Sequence, residues 1–348
     1  MSFDPTMLSQ SWPMPANPRP IVTFGAGSIV GDAHFPAYRK AGLPIAAKAE
    51  KLAAQFGIKA FASAEEAVAV PHAIFDLATP PKAHAAVLKG LPDGAAVLIQ
   101  KPMGSDLAGA TDILAICRAK KLKAAVNFQL RFAPIMLALK DAIAKGLLGE
   151  VVDFDGLLAV DTPWSLWAFL NGLPRIEITM HSIHYLDLIR QLLGDPLGVH
   201  AKSIGHPGHQ MAQTRTTAIL DYGDRVRCAL SINHDHKFGR RHQACEFRIS
   251  GTEGAAYLQL GLNLNYPVGE PDILEIHPKG GDGWVTVPLQ GAWFPDAFVG
   301  RMANLQRYAS GEDIELVSSV EDSWMTMALV EAAYESSARP ATPLAQRP

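Results

Sequence analysis

Cysteine is scarce in this chain: Cys117, Cys228 and Cys245 are the only three, an odd number at no metal-ligand spacing. That excludes a disulfide-stapled scaffold and a cysteine-built zinc site, and it predicts reduced thiols in a reducing compartment, the cytoplasm by default. An excess of either charge is missing too. Lys+Arg of 31 against Asp+Glu of 34 leaves a net charge of −3, so the balance offers no electrostatic footprint for nucleic acid or an anionic membrane surface. No apolar stretch is long enough to span a bilayer. The start of the chain, with prolines at 5, 13, 15, 18 and 20, lacks the basic and apolar regions of a secretion signal. What is present is an ordinary globular composition, 48% apolar and 19% charged, over 348 residues. That is too long for one ordinary core, so two domains and a small-molecule partner are expected.

From Ile21 onward, short apolar runs alternate with helical stretches. Segments 21–24, 73–78, 95–99 and 124–128 read as strands buried on both faces, which predicts a doubly wound parallel sheet over residues 21–128. Residues 1–20 read as a tail, flexible or hugging the surface. After about residue 130 the pattern changes. A helix over 133–145 and a long strand over 151–160 precede a second helix that starts near Glu177 and stops at Gly194-Asp195-Pro196. Hairpins follow, turning at Asp221-Tyr222-Gly223-Asp224 and Gly251-Thr252-Glu253-Gly254. Residues 129–348 are thus expected to form an α+β domain on a large, mainly antiparallel open sheet, with the final helix packing back on the first domain.

Three places carry chemistry. Gly25-Ala26-Gly27 lies between a strand and a helix, where the first glycine makes the turn and the second lets the backbone approach a pyrophosphate. The third glycine position is Val30, with Gly31 beside it. A dinucleotide site also wants an acid at the end of the second strand. Leu43 to Glu50 is too short for a full strand plus loop, Glu50 is the only nearby acid, and Lys48 and Lys51 equally suit a 2′-phosphate. NAD and NADP both stay open. Second, Lys101-Pro102 stops the strand ending at Ile99. Ligands of open α/β sheets bind beyond the carboxyl ends of the strands, where a lysine can reach a substrate with its stem on apolar surface. Third, His181 and His184 open an apolar helix and share one face with Glu177. That set lacks the spacing of a zinc-protease helix, so no metal is expected. His234-Asp235-His236 reads as a solvated loop. Asn127 and Arg131 straddle the junction of the two halves, a natural place to grip a polar ligand, and Trp164 sits on a loop where it could stack on a sugar face.

The ordered set Gly25-Ala26-Gly27-Ser28-Ile29, Thr79-Pro80-Pro81-Lys82-Ala83-His84, Gln100-Lys101-Pro102 and His184-Tyr185-Leu186-Asp187 resembles the Gfo/Idh/MocA family of sugar and polyol oxidoreductases. The resemblance runs from Pro20 to Pro340. It implies a Rossmann domain that binds NAD or NADP through Gly25, Gly27, Ser28, Ile29, Thr79, Pro80, His84, Lys101 and Pro102. It also implies Lys101 and His184 in the catalytic positions, and assembly as a homodimer or homotetramer. Leu, Ile, Cys and Phe on both alternations of the later strands point the same way, since an outer sheet face needs covering. The chain departs from the family at Gln100, where Glu-Lys-Pro is usual, and at Met180, where many members carry an aspartate. Glu177, polarising His181 or His184, offers a replacement.

Alcohol oxidation needs a group to take the hydroxyl proton and another to steady the developing negative oxygen. Histidine suits the first task near neutrality, and a desolvated Lys101 suits the second. The expected reaction is hydride transfer between a nicotinamide and a hydroxyl-bearing carbon of a neutral sugar or polyol, held by Asn127, Arg131, Trp164, His181 and His184. Two other readings stand beside it: a retired dinucleotide or sugar sensor, and a sugar lyase or hydrolase that recycles bound NAD internally.

Overall fold

The structure, a computed structural model, describes residues 3–345 apart from Ala26, Ala49 and Pro267; for Lys48, Ala168 and Phe169 it describes the backbone alone. The first half alternates β1 (Ile21–Phe24), α1 (Phe35–Lys40), β2 (Ile45–Lys48), α2 (Glu50–Phe56), β3 (Lys59–Ala60), α3 (Ala64–Val68), β4 (Ile74–Leu77), α4 (His84–Gly90), β5 (Ala96–Ile99), α5 (Leu107–Ala119) and β6 (Lys123–Val126). The six strands form one parallel sheet in the order β3-β2-β1-β4-β5-β6. β1, β4 and β5 are buried at every position, as strands covered by helices on both faces must be. The order reverses at β1/β4, the point beyond whose strand carboxyl ends open α/β sheets bind their ligands.

The second strand corrects the expectation drawn from its length. Ile45–Lys48 pairs in full register with Ile21–Phe24, and α2 starts two residues later. Four residues suffice because the strand needs no more than the length of β1. β3 carries no apolar run and is recruited only by pairing Lys59 and Ala60 with β2.

The second half runs through α6 (Pro134–Ala144), β7 (Val151–Ala159), α7 (Ile183–Leu193), β8 (Gly198–Ile204), β9 (Arg215–Asp221), β10 (Arg227–Asn233), β11 (Ala244–Gly251), β12 (Ala255–Gln259), β13 (Ile273–His277), β14 (Val285–Thr286), α8 (Asp296–Ser310) and α9 (Val320–Ala338). Its eight strands lie in the order β14-β13-β12-β11-β7-β10-β9-β8. Every neighbouring pair is antiparallel except β7 with β10, so the sheet is mixed. Apolar side chains fall on both alternations, Ile219 and Ile273 being exposed on the outer one. Cys228, Leu230, Cys245 and Phe247 are all buried, while the alternate positions carry the Arg227–Asp153 and Arg248–Glu246 ion pairs.

Two long-range ties position the site. α9 joins the first sheet through a bridge between Ser319 and Ala125 and a hydrogen bond from the Trp324 indole to Thr111 on α5. The amino-terminal tail is pinned along the surface: Trp12 donates to Asp313, and the Arg19 amide donates to Gln306 on α8.

Candidate active site

The crevice begins at the glycine turn. Gly25 has φ +119, and a Cβ there would lie 2.3 Å from the carbonyl oxygen of Ala78, so only glycine fits. Gly27 differs: a Cβ there would meet nothing within 4 Å. Its backbone borders open space at the start of a helical run from Ser28, which suits a phosphate approaching amide groups. Val30, at the third glycine position, is fully buried, and Gly31 packs close to Leu52 of α2. Across the turn, the Thr79 hydroxyl is buried without a partner among the described residues, and the fully buried His84 bonds the Thr79 carbonyl at 2.9 Å. Burial holds the His84 imidazole down at about 4, so it fixes the loop as a neutral ring. Ser28 and Pro80 are exposed at the crevice rim, with Ile29 half-buried. These residues fit a dinucleotide. Ala26 lies outside the described residues, as do Ala49 and the Lys48 side chain.

Lys101 follows β5, and its Nζ donates to the Met180 carbonyl at 2.7 Å. Burial pulls its pKa from 10.5 to about 8. Met180 belongs to a π-helical turn, Ile178–Ser182, that leads into α7. Wide turns of this kind recur at functional sites, and here one brings the two halves together. His184, one turn on, is 6% exposed, with Nδ1 unpartnered among the described residues. It lies edge-on to Phe128 and Trp293. Burial, then the charge of Lys101, holds His184 well below the usual histidine range. Lys101 is thus tied to the turn that leads into His184, near enough for its charge to bear on the imidazole.

Beneath them runs a polar chain. Tyr38 donates to Asp76 at 2.9 Å, and His34 Nδ1 bonds the same carboxylate oxygen at 2.8 Å. His34 Nε2 lies 3.3 Å from Asn127 Nδ2, which donates to Gln100 Oε1 at 2.8 Å. Asn127 is fully buried in this chain. Arg131 is also turned inward: both its Nε and Nη2 donate to Asp187, and Asp322 lies 2.8 Å away. The expected substrate contacts Asn127 and Arg131 therefore already have buried partners.

Glu177 does not bond His181 or His184. Its carboxylate accepts from Ser182 and lies 3.3 Å from His234 Nε2. His234 is fully buried and Asp235 is 4% exposed, which overturns the solvated-loop expectation; β10 carries them inside. Thr162 bonds His234 Nδ1 at 2.7 Å. Trp164 covers this group, its ring 5.2 Å from that of His234.

Residues 21–128 match the model described as "Oxidoreductase family, NAD-binding Rossmann fold", and residues 136–257 match the "GFO/IDH/MocA C-terminal domain". The chain belongs to the Gfo/Idh/MocA family. It is an oxidoreductase with a nicotinamide dinucleotide cofactor. Among curated relatives, D-apiose dehydrogenase of Paraburkholderia graminis is 26% identical over 273 residues, covering 75% of this chain and 70% of that protein. Trans-1,2-dihydrobenzene-1,2-diol dehydrogenase of Mus musculus is 35% identical over 223 residues, covering 61% and 63%. Levoglucosan dehydrogenase in complex with NADH and levoglucosan superimposes with a TM-score of 0.75 at 19% identity, covering 92% of this chain and 98% of that one, a likeness of fold.

Within the family, two departures of this chain acquire a structural account. Gln100 accepts a hydrogen bond from Asn127 as a neutral end to the polar chain. Met180 has no carboxylate to offer Lys101, and its backbone carbonyl takes the ammonium instead. His34, Asp76 and Tyr38 carried no sequence signal, since each looked like an ordinary helix or strand residue. Among the described residues, no helix is long and apolar enough to cross a membrane.

Proposed function

We propose that this protein transfers hydride between NAD or NADP and a hydroxyl-bearing carbon of a sugar or polyol, with Lys101 and His184 at the reacting carbon. The pairing of Lys101 with the Met180 carbonyl, one turn before His184, carries the reading. A cation with a lowered pKa near a neutral imidazole is the pair of groups that alcohol oxidation calls for, and this supports the reading. The relatives' names support the substrate class, since apiose is a sugar and the dihydrobenzene diol carries vicinal hydroxyls.

When bound, the nicotinamide supplies the acceptor for the carbon-bound hydrogen and its electron pair. His184, neutral near pH 7 because of burial, takes the hydroxyl proton through a free ring nitrogen. Lys101 donates to the same oxygen and stabilises its developing negative charge. At about 8 its pKa lets it exchange that proton near neutrality. The aromatic wall of Phe128 and Trp293 holds the imidazole in place and keeps water away. Gly25, Gly27, Ser28, Ile29, Thr79 and Pro80 frame the dinucleotide, His84 sets the Thr79 loop, and Lys101-Pro102 closes the nicotinamide end. His181 and Trp164 border the substrate side.

A screen of the purified protein with NAD and NADP against aldoses, polyols and inositols tests this. Net formation of reduced cofactor, lost in Lys101→Ala and His184→Ala, is the expected result. Binding without turnover would make the protein a sensor, and product without net reduction would make it an internally recycling lyase or hydrolase.

A further inference from the structure

We propose that Glu177, His181 and His234 bind one divalent transition-metal ion of the zinc type, with a coordination position left open toward the crevice. One ligand atom from each residue lies within 4.8 Å of the other two. Zinc bonds to nitrogen and oxygen are about 2.0–2.2 Å, which puts tetrahedral ligands about 3.4 Å apart. The 3.3 Å between His234 Nε2 and Glu177 Oε1 already has that spacing, and His181 needs only a small approach. Its ring stands 4.3 Å from that of His234, roughly perpendicular to it.

The bonding around the three residues is incomplete in a way that a cation would complete. Glu177 is fully buried, yet its Oε2 has no partner and no lysine or arginine pairs with it among the described residues. A buried carboxylate without a full cationic partner is costly. Among the described residues, His181 Nδ1 is likewise buried without a partner. The supports a metal site needs are present. Thr162 bonds His234 Nδ1, which directs Nε2 toward Glu177, and Ser182 holds the carboxylate. His181 Nδ1, a nitrogen without a partner among the described residues, is free to take the ion. Two imidazoles and one carboxylate suit zinc or a neighbouring transition metal rather than magnesium, which prefers oxygen. His181 is the one member of the three that is partly exposed, so the fourth position opens on its side.

A second cluster, His206, His209 and Asp235, has similar spacing but differs in bonding. Asp235 takes Thr214 and His209, His206 Nδ1 takes the Gly208 amide, and His209 Nδ1 takes that of Met211. Both Asp235 oxygens, both His209 nitrogens and His206 Nδ1 are occupied, and the cluster serves as the internal control.

The test is titration of chelator-stripped full-length protein with zinc chloride, in competition with a chromophoric chelator and without substrate, so that it is independent of the dehydrogenase reading. One equivalent of zinc should bind. His181→Ala and His234→Ala should weaken binding by at least about a hundredfold, Thr162→Val by about tenfold, and His209→Ala should leave it unchanged. Quenching of tryptophan fluorescence by NADH checks that each variant is folded; His181, partly exposed, is the safest of the three. No stoichiometric zinc in the wild type overturns the proposal. So does zinc binding that survives His181→Ala, or that is lost in His209→Ala instead.

Discussion

Replacing Lys101 with methionine should make the protein more stable and inactive. The ammonium is pulled from 10.5 to about 8 by burial, which corresponds to a penalty of about 3 kcal/mol on the charged folded state. Against this, the substitution loses the hydrogen bond to the Met180 carbonyl, worth about 1 kcal/mol. The net expectation is a gain of about 2 kcal/mol near pH 7. Because the folded pKa lies below the unfolded one, the unfolded chain holds more protons between about pH 8 and 10.5. Wild-type stability therefore rises with pH across that window, and the lysine penalty is fully present only below it. By about pH 9.5 roughly 2 kcal/mol of the penalty should be gone, bringing the two proteins close together. His181 and His184, the titratable neighbours, are held well below the ordinary histidine range and stay neutral throughout, so the slope belongs to Lys101. Urea unfolding of both proteins at the two pH values, in chelator-containing buffer, measures it. A Lys101→Met protein that is less stable near pH 7, or whose advantage grows with pH, refutes the reasoning.

Other outcomes follow from the same geometry. His184→Ala should lower kcat by at least about a hundredfold while NAD(P)H affinity, read by fluorescence, holds. Gly25→Ala should cost several kcal/mol or fail to fold, because its Cβ would lie 2.3 Å from a carbonyl oxygen at φ +119. Gly27→Ala should melt like the wild type yet lose at least about tenfold in dinucleotide affinity, since its methyl enters the open space the phosphates need. Asp187→Asn should lower unfolding free energy by about 3 kcal/mol, as it strips a buried arginine of its paired carboxylate; a loss confined to KM would instead place Arg131 on substrate.

What the sequence reveals follows from how local each signal is. The parallel sheet was legible because β1, β4 and β5 are apolar runs buried on both faces, and Lys101 because a charge ends such a run. β3 was not legible, since Lys59 and Ala60 have no pattern of their own and become a strand only beside β2. Arg131 and Asn127 stood at the expected junction, but their bonding depends on Asp187, Asp322 and Gln100, which the fold brings from elsewhere. The same holds for Glu177. Helical spacing put it on a face with His181 and His184, and could not show that His234 arrives from β10 to take its carboxylate.

The most direct test is a single-turnover experiment that follows the near-ultraviolet absorbance of reduced nicotinamide with a turned-over sugar or polyol, for the wild type, Lys101→Ala and His184→Ala. The account predicts a burst of reduced cofactor in the wild type and none in either variant, with dinucleotide affinity intact in all three. A burst of undiminished rate in both variants would contradict it.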